Sequence, residues 1–231
     1  PGKLTIATGQ PAYEPWVMND KPESGEGYEA AVAYAVADKL GFKKSDVVWT
    51  RTAFDTAIAP GAKDWDFNIQ QFGITDERKK AVDFSSSYYN DSQSVVVKKD
   101  SKFANATKVS DLKDATVGVM VGTLAYDYAK ANIKDDIQTF NDDAALAQAL
   151  DAGQIDALVT STVECVYMVQ SEQVKDAKVL GRLPDSEDKS GMGIVLPKDS
   201  KLTAAVTKAV DDLNADGTIK KLQDKWLAEY T

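Results

Sequence analysis

The fold of this chain is decided by residues 66–85, which read DFNIQQFGITDERKKAVDFS. A short apolar strand begins this stretch, a polar turn follows, and a helix is entered at residues 75–78. Backbone N–H groups at the start of a helix carry partial positive charge, and an arginine fork holds both oxygens of a carboxylate. Residues 75–78 alone are equally typical of a helix cap with a solvated charge. The whole stretch is more specific, and it predicts a site for a small carboxylate.

Length and composition describe an ordinary globular chain. The 231 residues are 43% hydrophobic and 27% charged, enough to bury a substantial core as one large domain or two small ones. The net charge of -9 argues against nucleic acid and anionic membranes as partners. No stretch approaches the ~18–20 apolar residues of a membrane span. Residues 1–10 lack the pattern of an export signal, and we expect that any such signal has been removed.

The sequence contains one cysteine, Cys165, and no histidine. An internal disulfide is therefore impossible, and catalysis by Cys-His or Ser-His-Asp arrangements in their usual forms is ruled out. Most zinc and haem sites are removed as well, because they need histidine or several cysteines. We therefore predict no catalytic residues, no metal site and no cofactor.

Strands and helices alternate along the chain in two similar series. The first series has predicted strands at 4–8, 47–50 and 67–70, with helices over 29–40 and 54–59. The second has strands at 116–120, 137–140 and 155–159, with helices over 126–131 and 142–151 and a further helical stretch to 170. Two βαβαβ series predict an α/β fold of two lobes, each a mostly parallel sheet flanked by helices. Two more helices are predicted over 202–213 and 218–227.

Residues 66–85, continued by Tyr88 and Tyr89, resemble the signature of the polar amino acid-binding proteins of bacterial ABC importers. These are family 3 solute-binding proteins with the type II periplasmic-binding fold. The resemblance covers essentially the whole chain. Further motifs match in order at residues 13–16, 27–29, 54–55, 121–124, 153–157 and 216–218, and at Trp226.

The resemblance implies a particular domain organisation. Residues 1–93 and 195–231 would form a discontinuous first lobe, and residues 94–194 an inserted second lobe. The β-rich runs at 94–97 and 191–196 would be the hinge strands that join them. The ligand would lie between the lobes at the carboxyl ends of the strands, and binding would close the hinge.

The resemblance also implies which residues bind the ligand. Arg78 and the N–H of Gly73 would hold its carboxylate, and the amides near Thr123 and Leu124 would close on it. Tyr13 and Phe54 would sandwich its side chain, since flat aromatic faces bury apolar groups at low entropy cost. Simple core packing is the alternative for these two rings, and a plain helix N-cap is the alternative for Thr123.

Three residues depart from the small or hydroxylated residues usual in this family. The carbonyl of Gln71 would accept from an amine, and the side chains of Gln70 and Gln71 would add amide groups or restrict the site. Gly73 replaces the usual Ser or Thr, so its N–H remains but a hydroxyl donor is lost.

Ser161 is the sharpest departure, because many family members carry Asp there to bind the ligand's ammonium. An uncompensated ammonium buried in a closed cleft is costly. Either another acid replaces this Asp, with Glu164 and Glu14 as candidates, or the ligand lacks an amine there. The alternative for both glutamates is a solvated surface carboxylate.

The resulting functional prediction is an extracytoplasmic solute-binding protein, lipid-anchored or periplasmic, and not an enzyme. It would capture a small amino acid or related carboxylate-bearing solute as a monomer and deliver it to an ABC transporter permease. Two alternatives stay open at this point. One is an enzyme resembling the cyclohexadienyl dehydratases, with Glu164 as the acid. The other is the ligand-sensing domain of a receptor.

Overall fold

The computed structural model describes residues 2–227. The first part of the chain forms β1 (Leu4–Gly9), α1 (Tyr28–Lys39), β2 (Val47–Thr52), α2 (Phe54–Ile58), β3 (Phe67–Asn68), α3 (Asp76–Lys79) and β4 (Val82–Tyr89). Strand β3 is shorter than predicted because the chain leaves the sheet. Gln71 adopts a left-handed conformation with φ of 49°. The turn that leads to α3 therefore begins directly after β3.

The middle of the chain forms β5 (Gln93–Lys98), β6 (Val117–Met120), α4 (Leu124–Asn132), β7 (Gln138–Phe140), α5 (Asp143–Asp151), β8 (Ala157–Ser161), α6 (Thr162–Gln170) and β9 (Ala177–Arg182). The last part forms β10 (Met192–Pro197), α7 (Thr203–Ala215) and α8 (Thr218–Trp226). Short 3-10 turns lie at Met18–Asp20, Pro22–Ser24, Lys44–Asp46 and Val109–Leu112.

The chain divides into two compact units. Within the described residues, the first unit contains the chain up to Asn90 and from Lys189 onward, and the second contains Asp91–Asp188. No helix within residues 2–227 combines the length and the apolar character that crossing a membrane requires.

The first unit is built on a five-stranded mixed sheet with the order β2-β1-β3-β10-β4. Strand β1 runs parallel to β2 and β3, whereas β10 runs antiparallel to β3 and β4. Four strands therefore point the same way and β10 opposes them. Helices α7 and α8 pack against α1. The carboxyl ends of β1 and β3 lie at one edge, where parallel sheets place their sites.

The second unit repeats this arrangement with the order β7-β6-β8-β5-β9. Strand β6 runs parallel to β7 and β8, and β5 runs antiparallel to β8 and β9. The runs predicted as hinge strands are thus β5 and β10, the strand in each sheet that opposes the other four.

Helices cover both faces of the second sheet. Because successive side chains of a strand alternate between faces, Val95 and Val97 of β5 pack in one cluster with buried residues of α4. Val96 points the other way and packs with buried residues of α5 and α6. Each fully buried aliphatic side chain stabilises the fold by about 1.5–3 kcal/mol. The apolar strands therefore hold the carboxyl ends of β6 and β8 in fixed positions.

Candidate functional site

The turn after β3 is held by a buried carboxylate. Glu29, on the first turn of α1, is 0% exposed. It accepts hydrogen bonds from the backbone N–H of Gln71 at 2.9 Å, from the side-chain amide of Gln71 and from the hydroxyl of Tyr88. Burial raises the pKa of Glu29, and these hydrogen bonds oppose that effect. Glu29 therefore fixes Gln71 in the left-handed conformation from which the turn departs.

Arg78 lies half-buried on α3, at the end of this turn. The hydroxyl of Thr75 caps the helix by accepting from the Arg78 N–H at 3.1 Å. The Arg78 guanidinium donates to the carbonyl of Gly73 at 2.8 Å and lies 5.4 Å from the centroid of the Phe54 ring. Burial lowers the Arg78 pKa, but a guanidinium stays charged in proteins. No carboxylate within residues 2–227 lies within 4.0 Å of this cation.

The aromatic and amide residues predicted beside Arg78 surround the same turn. The Phe54 and Phe72 ring centroids are 4.7 Å apart, and Phe54 stays half-buried. The side chain of Gln70 packs against Gly9 so closely that a Cβ at Gly9 would lie 2.6 Å from Gln70 Nε2. In the described part of the chain, Oε1 of Gln70 is buried without a hydrogen-bond partner. The first unit thus brings Arg78, Phe54 and the two glutamines to one turn.

Tyr13 and Glu14 take part in a local turn near the end of β1. The Tyr13 carbonyl accepts from the N–H groups of Trp16 at 3.0 Å and Val17 at 2.9 Å. Glu14 Oε1 accepts from the N–H of Asn19 at 3.1 Å, where the backbone is left-handed with φ of 54°. Glu14 therefore has a local structural role, and ligand contacts of Tyr13 and Glu14 stay predictions.

In the second unit, Thr123 lies just beyond the carboxyl end of β6. Its hydroxyl donates to the Met120 carbonyl at 2.7 Å and accepts from the Tyr126 N–H at 3.2 Å, which makes Thr123 the N-cap of α4. Leu124 follows with 54% exposure. The first N–H groups of a helix lack partners within it, so capping is compatible with a binding role.

Ser161 ends β8 and caps α6, since its hydroxyl accepts from the Glu164 N–H at 3.2 Å. Beside it lies Asp91, which was not predicted from the sequence. The Asp91 carboxylate accepts from the N–H groups of Ser92 at 2.9 Å and Val163 at 3.3 Å. Burial raises the Asp91 pKa to about 6, and interactions with these amides and with the hydroxyls of Ser161 and Thr162 oppose the rise.

Glu164 is not a freely solvated carboxylate. Its burial, and then the charge of Asp143, raise the Glu164 pKa to about 7. Burial also raises the Asp143 pKa, and Oδ1 of Asp143 has no hydrogen-bond partner among residues 2–227. In that same range, no group of three or more potential ligands from His, Cys, Asp and Glu is arranged to hold a metal ion.

Replacing Glu164 with glutamine is expected to raise the free energy of unfolding at pH 8 by on the order of 2 kcal/mol and to leave it unchanged near pH 4. Near pH 4 the carboxyl is largely protonated in both states. As the pH rises from the ordinary value of 4.5 towards 7, the unfolded state loses the proton first, and the wild type loses stability.

Urea unfolding at both pH values measures this difference. The exposed Glu187→Gln substitution in the same unit is the control, and we expect it to change stability by less than about 0.5 kcal/mol at either pH. A Glu164→Gln effect of equal size at pH 4 and pH 8 would contradict the assigned burial of this carboxyl.

Comparison with known proteins identifies the family. The sequence profile of the bacterial extracellular solute-binding proteins, family 3, matches residues 4–229. The chain belongs to this family. The L-arginine-binding protein of Pseudomonas aeruginosa is 29% identical over 94% of the chain and 85% of its own length. The L-cystine-binding protein of Escherichia coli K12 is 30% identical over 93% of the chain and 79% of its own length.

Structural comparison agrees with this membership. An ancestral arginine-binding protein bound to arginine matches with a TM-score of 0.60 and 31% identity, over 98% of each chain. The resemblance carried by residues 66–85 and the predicted two-lobed α/β fold are confirmed for this family 3 protein. The relatives are named as binding proteins, and the dehydratase alternative is not favoured.

Proposed function

We propose that this family 3 protein captures an amino acid outside the cytoplasm and delivers it to the permease of an ABC importer. The observation that carries the proposal is Arg78, a half-buried cation with a fixed geometry and no carboxylate partner among residues 2–227. A cation held in this way is suited to an incoming carboxylate, because bidentate pairing is strong and directional. The names of the arginine-binding and cystine-binding relatives support an amino acid as the solute.

Each unit presents its own set of ligand contacts in this proposal. In the first unit, Arg78 and the N–H of Gly73 bind the carboxylate, and Phe54 covers the apolar part of the solute. The Gln70 oxygen that lacks a partner and the carbonyl of Gln71 accept from polar groups of the solute. In the second unit, the N–H groups at Thr123 and Leu124 provide donors. They lie at the start of α4, where the first N–H groups have no partner within the helix.

In this proposal the two compact units, which divide after Asn90 and before Lys189, act as the two transport lobes. The lobe boundaries at 93/94 and 194/195 stay predictions. The protein acts as a monomeric binder without a cofactor, and its partners are the solute and the permease. Relatives that are binding proteins support a binder rather than an enzyme.

A thermal-shift screen tests the proposal. The panel contains the common L-amino acids, L-cystine, their decarboxylated amines and small carboxylic acids. A bound ligand at 1,000 times its Kd is expected to add roughly 4 kcal/mol to the free energy of unfolding, because it binds only the folded state. At least one amino acid should raise the melting temperature by several degrees. A panel in which no carboxylate-bearing solute stabilises the protein would contradict the proposal.

A further inference from the structure

The second unit holds a buried negative charge directly behind Ser161. Asp91 is 6% exposed, and no lysine or arginine nitrogen within residues 2–227 lies within 4.0 Å of its carboxylate. Its hydrogen-bond donors, the N–H groups of Ser92 and Val163 and the hydroxyl of Ser161, are all neutral. A buried carboxylate without a cation is costly, and neutral donors reduce that cost without cancelling the charge. The fold therefore keeps a negative charge at the start of α6.

Strand pairing brings this charge to position 161. Strand β5 runs antiparallel to β8, and Gln93 lies opposite Ser161 in the register. Asp91, two residues before Gln93, is thereby placed at the first turn of α6, where it bonds to the N–H of Val163 at 3.3 Å. The proton of the Thr162 hydroxyl is already used, since it is donated to the Ser92 carbonyl at 2.9 Å.

The Ser161 hydroxyl interacts with the Asp91 carboxylate and is the less buried of the two groups. Ser161 is half-buried, whereas Asp91 is buried. A hydroxyl has one proton and two lone pairs. The Asp91 carboxylate attracts the proton, and the Glu164 N–H occupies one lone pair at 3.2 Å. The second lone pair is left to accept from a cation, and the charge behind it strengthens that interaction in a medium of low dielectric.

We propose that Asp91, acting through the hydroxyl of Ser161, supplies the counter-charge for the ligand's amino group, so that this protein selects amino acids over the corresponding amine-free acids. Asp91 is a specificity-determining residue that does not itself touch the ligand. The inference rests on the proposed function, since it assumes that the captured solute bears a carboxylate.

Two neighbouring acids lie near the start of α6. Burial, and then the charge of Asp143, raise the Glu164 pKa to about 7, and burial raises the Asp91 pKa to about 6. Asp143 faces Glu164, and its pKa is also raised by burial. Cys165 stays a neutral thiol, because its burial and then the charge of Asp91 raise its pKa.

The test measures a ratio of affinities. Calorimetry at pH 7.5 compares an L-amino acid identified in the screen with the same acid lacking its α-amino group. In Asp91→Asn, the affinity for the amino acid should fall about tenfold, which corresponds to ~1.4 kcal/mol. The affinity for the amine-free acid should stay within about threefold of wild type. A structural role alone would lower both affinities together, and an unchanged ratio would overturn the inference.

Moving the carboxylate from position 91 to position 161 tests whether the ratio of affinities can be restored. The double variant Asp91→Ser with Ser161→Asp places a carboxylate at position 161 and removes the one behind it. We expect this variant to restore the wild-type ratio or exceed it. Ser161→Asp alone is a weaker test, because two adjacent carboxylates do not both ionise readily. Failure of the double variant to recover the ratio, although folded, would overturn the inference.

Two further variants complete the design. Asp185→Asn removes an exposed carboxylate from the same unit and should leave the ratio unchanged. If Asp91→Asn does not fold, Ser161→Ala tests the same relay, and it too should lower the ratio about tenfold. An unchanged ratio in Ser161→Ala would count against the inference.

The wild-type measurements separate this inference from the proposed function. If the wild type binds the amino acid and the amine-free acid equally well, carboxylate capture stands and the role of Asp91 is wrong. If the wild type binds neither these nor any other carboxylate of the panel, both are wrong.

Discussion

Replacing Arg78 with alanine is expected to lower the affinity for the amino acid ligand by about 2–5 kcal/mol, which is roughly 30-fold or more. The variant removes the cation and leaves the desolvated ligand carboxylate with neutral N–H donors only. The Gly73 carbonyl, which accepts from Arg78 at 2.8 Å, loses its donor as well. Calorimetry of the wild type and the variant measures the change, and circular dichroism checks that the variant is folded.

Two other variants sharpen this result. Arg78→Lys should recover only part of the affinity, because a single ammonium does not reproduce the planar fork of a guanidinium. Lys79→Ala removes the neighbouring cation on the same helix, which is exposed and forms only a surface pair with Asp76 at 3.7 Å. We expect that control to bind as the wild type does. Wild-type affinity in folded Arg78→Ala would remove Arg78 from the site.

Replacing Glu29 with alanine is expected to lower the free energy of unfolding by about 3–5 kcal/mol. The substitution leaves the Gln71 N–H and the Tyr88 hydroxyl buried without their acceptor, and each such group costs about 1–3 kcal/mol. It also opens a cavity under α1, because Glu29 is fully buried. Urea unfolding at constant pH measures the loss.

The exposed Glu26→Ala substitution in the same segment is the matched control for Glu29. Its effect should stay within about 0.5 kcal/mol, as is usual for surface positions. If Glu29→Ala cost less than about 1 kcal/mol, the carboxylate would not be what holds the turn at Gln71.

The arrangement of the two units was predictable where local patterns were strong. The apolar runs of β6 and β8 and the spaced apolar residues of α1 gave their elements nearly in place. Strands β4 and β9 were not predicted, because serines interrupt the first and charged residues such as Lys178 and Arg182 lie in the second. Both are edge strands of their sheets, where polar side chains are tolerated and periodicity is weak.

The candidate site was predictable where one short segment carries it. The turn, cap and cation around Arg78 lie within residues 71–78, so their sequence was enough to suggest a carboxylate site. Glu29 and Asp91 were not predicted as part of the site, because their partners are distant in sequence. Glu29 meets Gln71 across 42 residues, and Asp91 reaches the start of α6 through the pairing of β5 with β8. Long-range pairing of this kind leaves no local pattern.

Arg78 binds the carboxylate of a captured amino acid in the proposed function. The most direct test is a thermodynamic cycle measured by calorimetry. It combines one mutation, Arg78→Ala, with one change of ligand, from an amino acid to its decarboxylated amine. We expect the wild type to bind the amino acid far more tightly than the amine, and Arg78→Ala to abolish most of this difference. An equal preference in both proteins would contradict this role of Arg78.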